Sequence, residues 1–248
     1  MDKLAYTTVN AMKSLMNRQT AIANNMANSD TAGFKADMVS AKAQYLNGPG
    51  HNSRAMAVDR DMQADMNGGA ITKTDRPLDI ALEGDAMLAV QAADGEEAYT
   101  KRGDLQISAS GAMLTGDGFP VLGESGPVTL PPSERVDIGA DGTISYVPAG
   151  GDPTQPQQLG KLKLVSATGS QMSKGADTLF HVADDGTLPV DENAKVISGA
   201  LEQSNVNMPS ALVDMIETSR AWETQARLLK MTEELDDSGA GVMSLPQG

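Results

Sequence analysis

The two ends of the chain constrain its fold most. Residues 1–32 contain no Gly and no Pro, and residues 207–237 contain no Gly and one Pro, Pro209, near their start. Most of the 25 Gly and 12 Pro fall between, in residues 33–200. Gly and Pro are the residues a helix interior tolerates least, so the pattern predicts a helix at each end and a turn-rich middle. The first segment carries an apolar repeat. Ala5, Met12, Gln19 and Met26 stand seven apart, Thr8, Leu15 and Ile22 fill the alternate positions, and Val9, Met16 and Ala23 widen the face. Gly33 is the expected stop, because it accepts the left-handed conformation that ends helices. In the last segment Asn207 and Pro209 are helix-start residues. Leu212, Met215, Ser219, Trp222, Ala226 and Leu229 then recur at spacings of three and four, Ile216 and Leu228 broaden the stripe, and Gly239 marks the expected end.

Each stripe needs something to lie against. A lone helix of this length is marginal in water, whereas burying one Met, Leu or Ile fully is worth roughly 1.5–3 kcal/mol. The simplest burial sets one helix against the other as a coiled coil. The middle reads as strands and tight turns. Asp94-Gly95, Asp117-Gly118, Asp141-Gly142 and Asp185-Gly186 are hairpin signals, since both residues tolerate positive φ. Candidate strands are Leu78 to Leu82, Met87 to Gln91, Ala98 to Lys101, Leu105 to Ser108, Val136 to Ile138, Thr143 to Val147 and Lys161 to Val165. Gly48 to Gly69 is polar and Met-rich without a period and reads as an extended excursion, and Ala149 to Gln158 as a Pro/Gly/Gln loop. The expected class is therefore α+β: terminal helices in a coiled coil, and a β-rich centre built as an antiparallel sandwich or irregular barrel. The expected domains are a helical one from 1–32 and 205–248, the excursion 33–69, and the β-rich 70–204.

Composition excludes several function classes. A net charge of −14 is wrong for nucleic acid, which needs Lys and Arg to neutralise phosphates, and wrong for anionic lipid. With no Cys, disulfides and thiolate metal sites are excluded. No stretch is long and apolar enough to span a membrane. No apolar run follows Met1-Asp2-Lys3, so no cleaved signal peptide is expected. Aromatic residues are only 3% of the chain, which leaves Leu, Val, Ile, Ala and 15 Met to build any core; Met suits surfaces that repack against partners.

Signs of chemistry are sparse. The histidines His51 and His181 are far apart and in no metal-ligand spacing. Asp59, Asp61 and Asp65 resemble a calcium loop faintly, but its Gly and terminal bidentate Glu are missing. Gly116, Gly118 and Gly123 suit a hairpin better than a dinucleotide fingerprint. No nucleophile elbow or phosphate loop is present, and nothing marks out one pair of carboxylates. Neither an enzyme nor a cofactor is expected.

Two longer motifs are more specific. Ile22-Ala23-Asn24-Asn25-Met26-Ala27-Asn28-Ser29-Asp30-Thr31-Ala32-Gly33-Phe34-Lys35 closely resembles the N-terminal signature of flagellar rod and hook proteins. Ser198-Gly199-Ala200-Leu201-Glu202-Gln203-Ser204-Asn205-Val206-Asn207 resembles that family's C-terminal signature, leading into Met215-Ile216 and Arg220-Ala221-Trp222-Glu223. Tyr99-Thr100-Lys101-Arg102-Gly103-Asp104-Leu105 resembles its central β motif. Arg76-Pro77-Leu78-Asp79-Ile80-Ala81-Leu82 with Val90 to Gly95 looks most like the proximal rod members that precede the distal rod. The chain departs at Ala86-Met87, where most relatives carry aromatics, at Leu105, which replaces a frequent Phe, and at Trp222, where Tyr is commoner. A distal rod or short hook-like axial protein is the alternative within the family; a secreted soluble enzyme or binding domain is the alternative outside it.

The resemblance implies a structural subunit that polymerises into a periplasmic drive shaft, with its terminal helices lining the axial tube. It implies partners among the proximal and distal rod subunits, other copies of itself, and the flagellar type III export apparatus. Taken with the apolar stripes, it places subunit assembly on Met12, Leu15, Ile22, Asn24, Asn25, Met26, Asn28, Gly33 and Phe34 at the front. At the back it places assembly on Leu201, Asn205, Val206, Asn207, Met215, Ile216, Arg220 and Trp222. The Asn amides are expected to bond neighbouring backbone rather than solvent.

Overall fold

The computed structural model describes residues 2–39, 41–45, 55–59, 63–152, 154–182 and 186–243. His51, Asp61 and Asp185 lie outside the described residues, as do 48–54 and 60–62 of the expected excursion. The chain divides into two compact units. One comprises residues 1–27, 37–63 and 207–248, the other residues 28–36 and 64–206.

The first unit holds helix α1, Asp2–Ala27, and helix α2, Met208–Met243, with an antiparallel hairpin of Ala41–Tyr45 on Ala55–Asp59. Asn207 caps α2: its side-chain oxygen accepts the Ser210 N–H at 3.0 Å, satisfying one of the orphan donors of a first turn, and its carbonyl accepts the first intrahelical bond, from the Ala211 N–H at 2.9 Å. The α2 helix runs through Gly239, the expected stop, to Met243. An interior Gly costs only about 1 kcal/mol against Ala, too little to end a helix alone.

The expected coiled coil is corrected here. The helices lie against each other and are tied by Arg18 to Asp214 at 3.2 Å, but no coiled coil of the two is shown. The α1 stripe is only partly covered, with Thr8 and Ile22 buried and Met12, Leu15 and Met26 half-buried, and its flanking positions and much of the α2 stripe stay in solvent. Val9 is 53% and Met16 64% exposed on α1; Leu212 is 47%, Ile216 53% and Trp222 41% exposed on α2. The fully buried positions are mostly small or polar: Thr8, Ala21 and Ile22 on α1, of which Thr8 and Ile22 belong to the stripe, and Ala211, Thr218 and Thr232 on α2. A knobs-into-holes seam needs large apolar side chains at those positions. The α+β expectation is corrected with it, for the fold is predominantly β with one helix at each end.

The second unit is neither one sandwich nor one barrel but a set of small antiparallel sheets. A five-stranded sheet runs in the order Leu164–Ser166, Ala86–Gln91, Glu97–Thr100, Phe180–Val182, Met172–Lys174. A three-stranded sheet joins Ser133–Ile138, Thr143–Pro148 and Gln157–Lys161. The single strand expected from Lys161 to Val165 is thus two strands in different sheets. At the switch the Leu162 N–H bonds Gly142 O and the Lys163 N–H bonds Leu122 O. Asp-Gly pairs make the turns: Gly95, Gly118 and Gly142 have φ of 91°, 90° and 82°.

Strand Ala86–Gln91 is central because both its faces are apolar. Leu88 and Val90 enter one buried cluster with Ile80, Leu105, Ile144 and Leu164. Met87 and Ala89, on the opposite face, enter a second with Tyr99, Val165 and Phe180. Alternation with period two makes this possible. The Tyr99 hydroxyl accepts the Leu188 N–H at 2.6 Å and donates to Glu97 at 2.7 Å. Burial pushes its phenol well above the ordinary value.

Candidate assembly site

Past Ala27 the chain folds into two tight turns. The Thr31 N–H bonds Asn28 O at 3.2 Å and the Phe34 N–H bonds Thr31 O at 3.3 Å. Gly33 follows at φ +67°, where a Cβ would stand 2.3 Å from the Lys101 carbonyl oxygen. Only Gly meets both conditions. The turns deliver residues 33–36, as a strap, to the end of strand Ala200–Glu202, the heart of the other signature.

Three backbone segments meet there within the second unit. The Gly33 N–H bonds Glu202 O at 2.7 Å, the Asn205 N–H bonds Phe34 O at 3.3 Å, and the Asp65 N–H bonds Ala36 O at 2.8 Å. The Asn205 side chain joins all three. Its oxygen accepts the Ala36 N–H at 2.7 Å, and its amide donates to Asp65 O at 2.8 Å and Asn67 O at 3.0 Å. Beneath it lies an ion pair. Lys35, 1% exposed, donates from Nζ to Glu202 Oε1 at 2.6 Å and Asn67 O at 2.9 Å. Glu202 Oε1 also accepts the Gly69 N–H at 2.8 Å. A buried pair adds little net stability, yet removing one partner costs about 3–5 kcal/mol. On the other side Lys174 crosses the Phe34 ring, its Nζ 3.6 Å from the centroid, and donates to Lys35 O at 2.7 Å.

Of the residues expected to carry assembly, the structure gathers Gly33, Phe34 and Asn205 in this cluster, with Leu201 and Val206 half-buried beside them in the chain. Asn28 accepts Thr31 Oγ1 at 3.3 Å at the turn that begins it. Asn24 and Asn25 belong to the helical unit and hold Asp37: Asn24 Nδ2 donates to its carboxylate at 2.6 Å, and Asn25 bonds its backbone. Ile22 is buried, Met12, Leu15, Met26 and Met215 are half-buried, and Asn207, Ile216, Arg220 and Trp222 are exposed. Sequence reasoning missed Lys35, Glu202, Asn67 and Lys174 as site residues. A signal for one was present: Ala200 and Glu202 share a strand face, and Ala200 is apolar and buried, so Glu202 had to face inward too.

Three protein-family models match in the same order as the motifs. The "Flagella basal body rod protein" model covers residues 6–35. The "Flagellar hook protein FlgE/F/G D1 domain" covers 81–146, and the "Flagellar basal body rod FlgEFG protein C-terminal" covers 197–242. The flagellar basal-body rod protein FlgF of Escherichia coli is 38% identical over 251 residues, across 99% of this chain and 98% of its own. The chain belongs to the flagellar basal-body rod protein family. FlgF of Salmonella typhimurium is 36% identical over 251 residues, across 99% and 100% of the two chains. FlgG of Bacillus subtilis is 27% identical over 253 residues, across 93% and 95%. This rod protein is a structural subunit, and its buried ion pair has one member, Lys35, in the N-terminal match and the other, Glu202, in the C-terminal match.

Proposed function

We propose that this subunit polymerises, with copies of itself and with neighbouring rod subunits, into the proximal part of the shaft that carries motor torque to the hook. In this reading it reaches the periplasm through the flagellar export apparatus without losing a leader, and it performs no catalytic step. The observation that carries the reading is the apolar surface of the two helices. Val9 and Met16 on α1, and Val213, Ile216, Leu228, Met231 and Leu235 on α2, are all between 45% and 64% exposed. Burying such a side chain fully from full exposure is worth roughly 1.5–3 kcal/mol, and an isolated subunit leaves about half of that unrealised at each. The large buried side chains of the β-rich unit, by contrast, already pack in closed clusters.

The test places a charge on this surface. Ile216→Asp, as the sole copy in a motile strain, should abolish swimming and leave incomplete basal bodies, because a charge would be buried in every interface. The purified variant should keep the fold of residues 64–206. Normal swimming with Ile216→Asp as sole copy would overturn the proposal.

A further inference from the structure

We propose that Glu202 is the shared counter-ion of two buried lysines, Lys35 and Lys101, and so acts as an electrostatic clasp that ejects residues 33–36 whenever strand Ala200–Glu202 leaves its place. Lys35 and Lys101 are 1% and 3% exposed and Glu202 is 6% exposed. Lys35 is bonded directly to Glu202. Lys101 donates its Nζ proton to the Gly84 carbonyl, a neutral acceptor. It lies within Coulombic range of both Glu202 and Lys35, with Asp85 as a further carboxylate. Burial, its dominant influence, lowers the Lys101 pKa, Lys35 lowers it further, and Glu202 opposes both. The backbone fits the same reading, since the Lys101 carbonyl is the atom against which Gly33 is seated.

While Glu202 is in place, it is the chief carboxylate offsetting the two positive charges, with Asp85 a smaller influence on Lys101. Without it, two buried ammonium groups within Coulombic range of each other would lose the carboxylate that chiefly offsets them, and like charges repel strongly where water is excluded. Neither lysine can stay buried and charged on those terms; Lys101 directly follows strand Glu97–Thr100, paired on both sides in the five-stranded sheet, whereas Lys35 stands in no strand, so residues 33–36 are the part that leaves. The backbone bonds from Gly33 to Glu202 and from Asn205 to Phe34 then break together with the ion pair. Residues 33–36 and 200–205 thus dock and undock as one unit, although about 165 positions separate them.

The experiment follows the exchange of the Gly33, Ala36 and Asn205 amide hydrogens in the full chain. In Glu202→Gln all three should lose protection together, by about a hundredfold or more, while the Ala89 amide in the five-stranded sheet keeps its own. Adding Lys101→Met to Glu202→Gln should restore a large part of that protection, because it removes the repelling charge. Hydrogen bonding by Glu202 alone predicts no such rescue. The double variant Lys35→Met with Glu202→Met, which removes both ends of the pair, should retain most of the protection and guards against a general failure to fold. Unequal loss among the three amides in Glu202→Gln, or no rescue by Lys101→Met, would overturn the clasp.

Discussion

Asn25 holds the backbone of Asp37 from both sides: its Nδ2 donates to Asp37 O at 2.9 Å, and its Oδ1 accepts the Asp37 N–H at 2.7 Å. A side-chain amide has the same donor and acceptor as a peptide group, so the last turns of α1 bind residue 37 as a neighbouring strand would. Asn25→Ala should therefore leave two backbone groups without these partners, at about 1–3 kcal/mol. Asn25→Asp keeps the acceptor but turns a carboxylate oxygen on the Asp37 carbonyl at the negative end of α1, so it should cost more. Urea unfolding followed by far-UV circular dichroism ranks the two, and equal stabilities would show that water replaces both bonds.

Gly33 and Gly118 separate conformational strain from collision. Both have positive φ, but a Cβ on Gly118 meets nothing within 4 Å, whereas one on Gly33 meets the Lys101 carbonyl. Gly118→Ala should cost about 1–2 kcal/mol, the left-handed penalty alone. Gly33→Ala should cost about 2–5 kcal/mol, because the strap must also move. Thermal melts of the two variants measure the difference directly.

Thr178 is a β-branched residue at φ +67°, a conformation such residues rarely adopt. The turn imposes it: the Thr178 N–H bonds Gly175 O and the Gly175 N–H bonds Leu179 O. Asn tolerates this region far better, so Thr178→Asn should stabilise the protein by about 0.5–1 kcal/mol. A lower melting temperature would place a further contact on the Thr side chain.

Asp141 gives a pH dependence whose sign is fixed. Its carboxylate accepts the Thr143 hydroxyl at 2.7 Å and the Thr143 N–H at 3.1 Å, and these bonds hold its pKa below the ordinary 3.8. A depressed folded pKa stabilises fully above the unfolded value and is lost as pH falls through the folded one. The turn between Ser133–Ile138 and Thr143–Pro148 should therefore loosen only below pH 3.8. Thr143→Val should move the titration back up toward that value, as read from the Asp141 side-chain carboxyl signal by NMR.

The sequence displayed local order well and long-range pairing poorly. Helices at both ends follow from the absence of Gly and Pro, and the turns at Gly95, Gly118 and Gly142 from their Asp-Gly pairs, because each depends on neighbours in the chain. The buried face of α2 was not legible. An apolar stripe names the large residues, here Leu212 and Ile216, whereas burial falls on Ala211, Thr218 and Thr232, whose sizes gave no signal. The Lys35 to Glu202 pair was hidden for a related reason. Both residues stood inside quoted motifs, but charged residues are expected at the surface unless a partner is in view, and each partner lay in the other motif. Gly33, Phe34 and Asn205 were found through the resemblance; what Asn205 bonds was not.

The acidic stretch near the end of α2 supplies the last prediction. Glu233, Glu234 and Asp237 are exposed, and a helix ended by Gly239 would set them in its final turns, where the helix dipole disfavours negative charge. The helix in fact continues to Met243, so they lie beyond the reach of a dipole effect confined to the last turn. What remains is the like-charge spacing of Glu233 and Asp237 at i and i+4, worth about 0.2–0.5 kcal/mol against the helix. Arg18, one of the basic residues of α1 that could have met these acids, is engaged with Asp214 instead. A role in assembly would set these carboxylates against basic side chains on another subunit, where complementary charge sets register and rejects wrong neighbours. Replacing Glu233, Glu234 and Asp237 by Gln, Gln and Asn should leave the helicity of the purified subunit unchanged or slightly raised. In cells that carry it as the sole copy, it should lower the fraction of complete basal bodies counted by electron microscopy. Complete basal bodies at the normal frequency would make the three carboxylates a solvated face with no part in assembly.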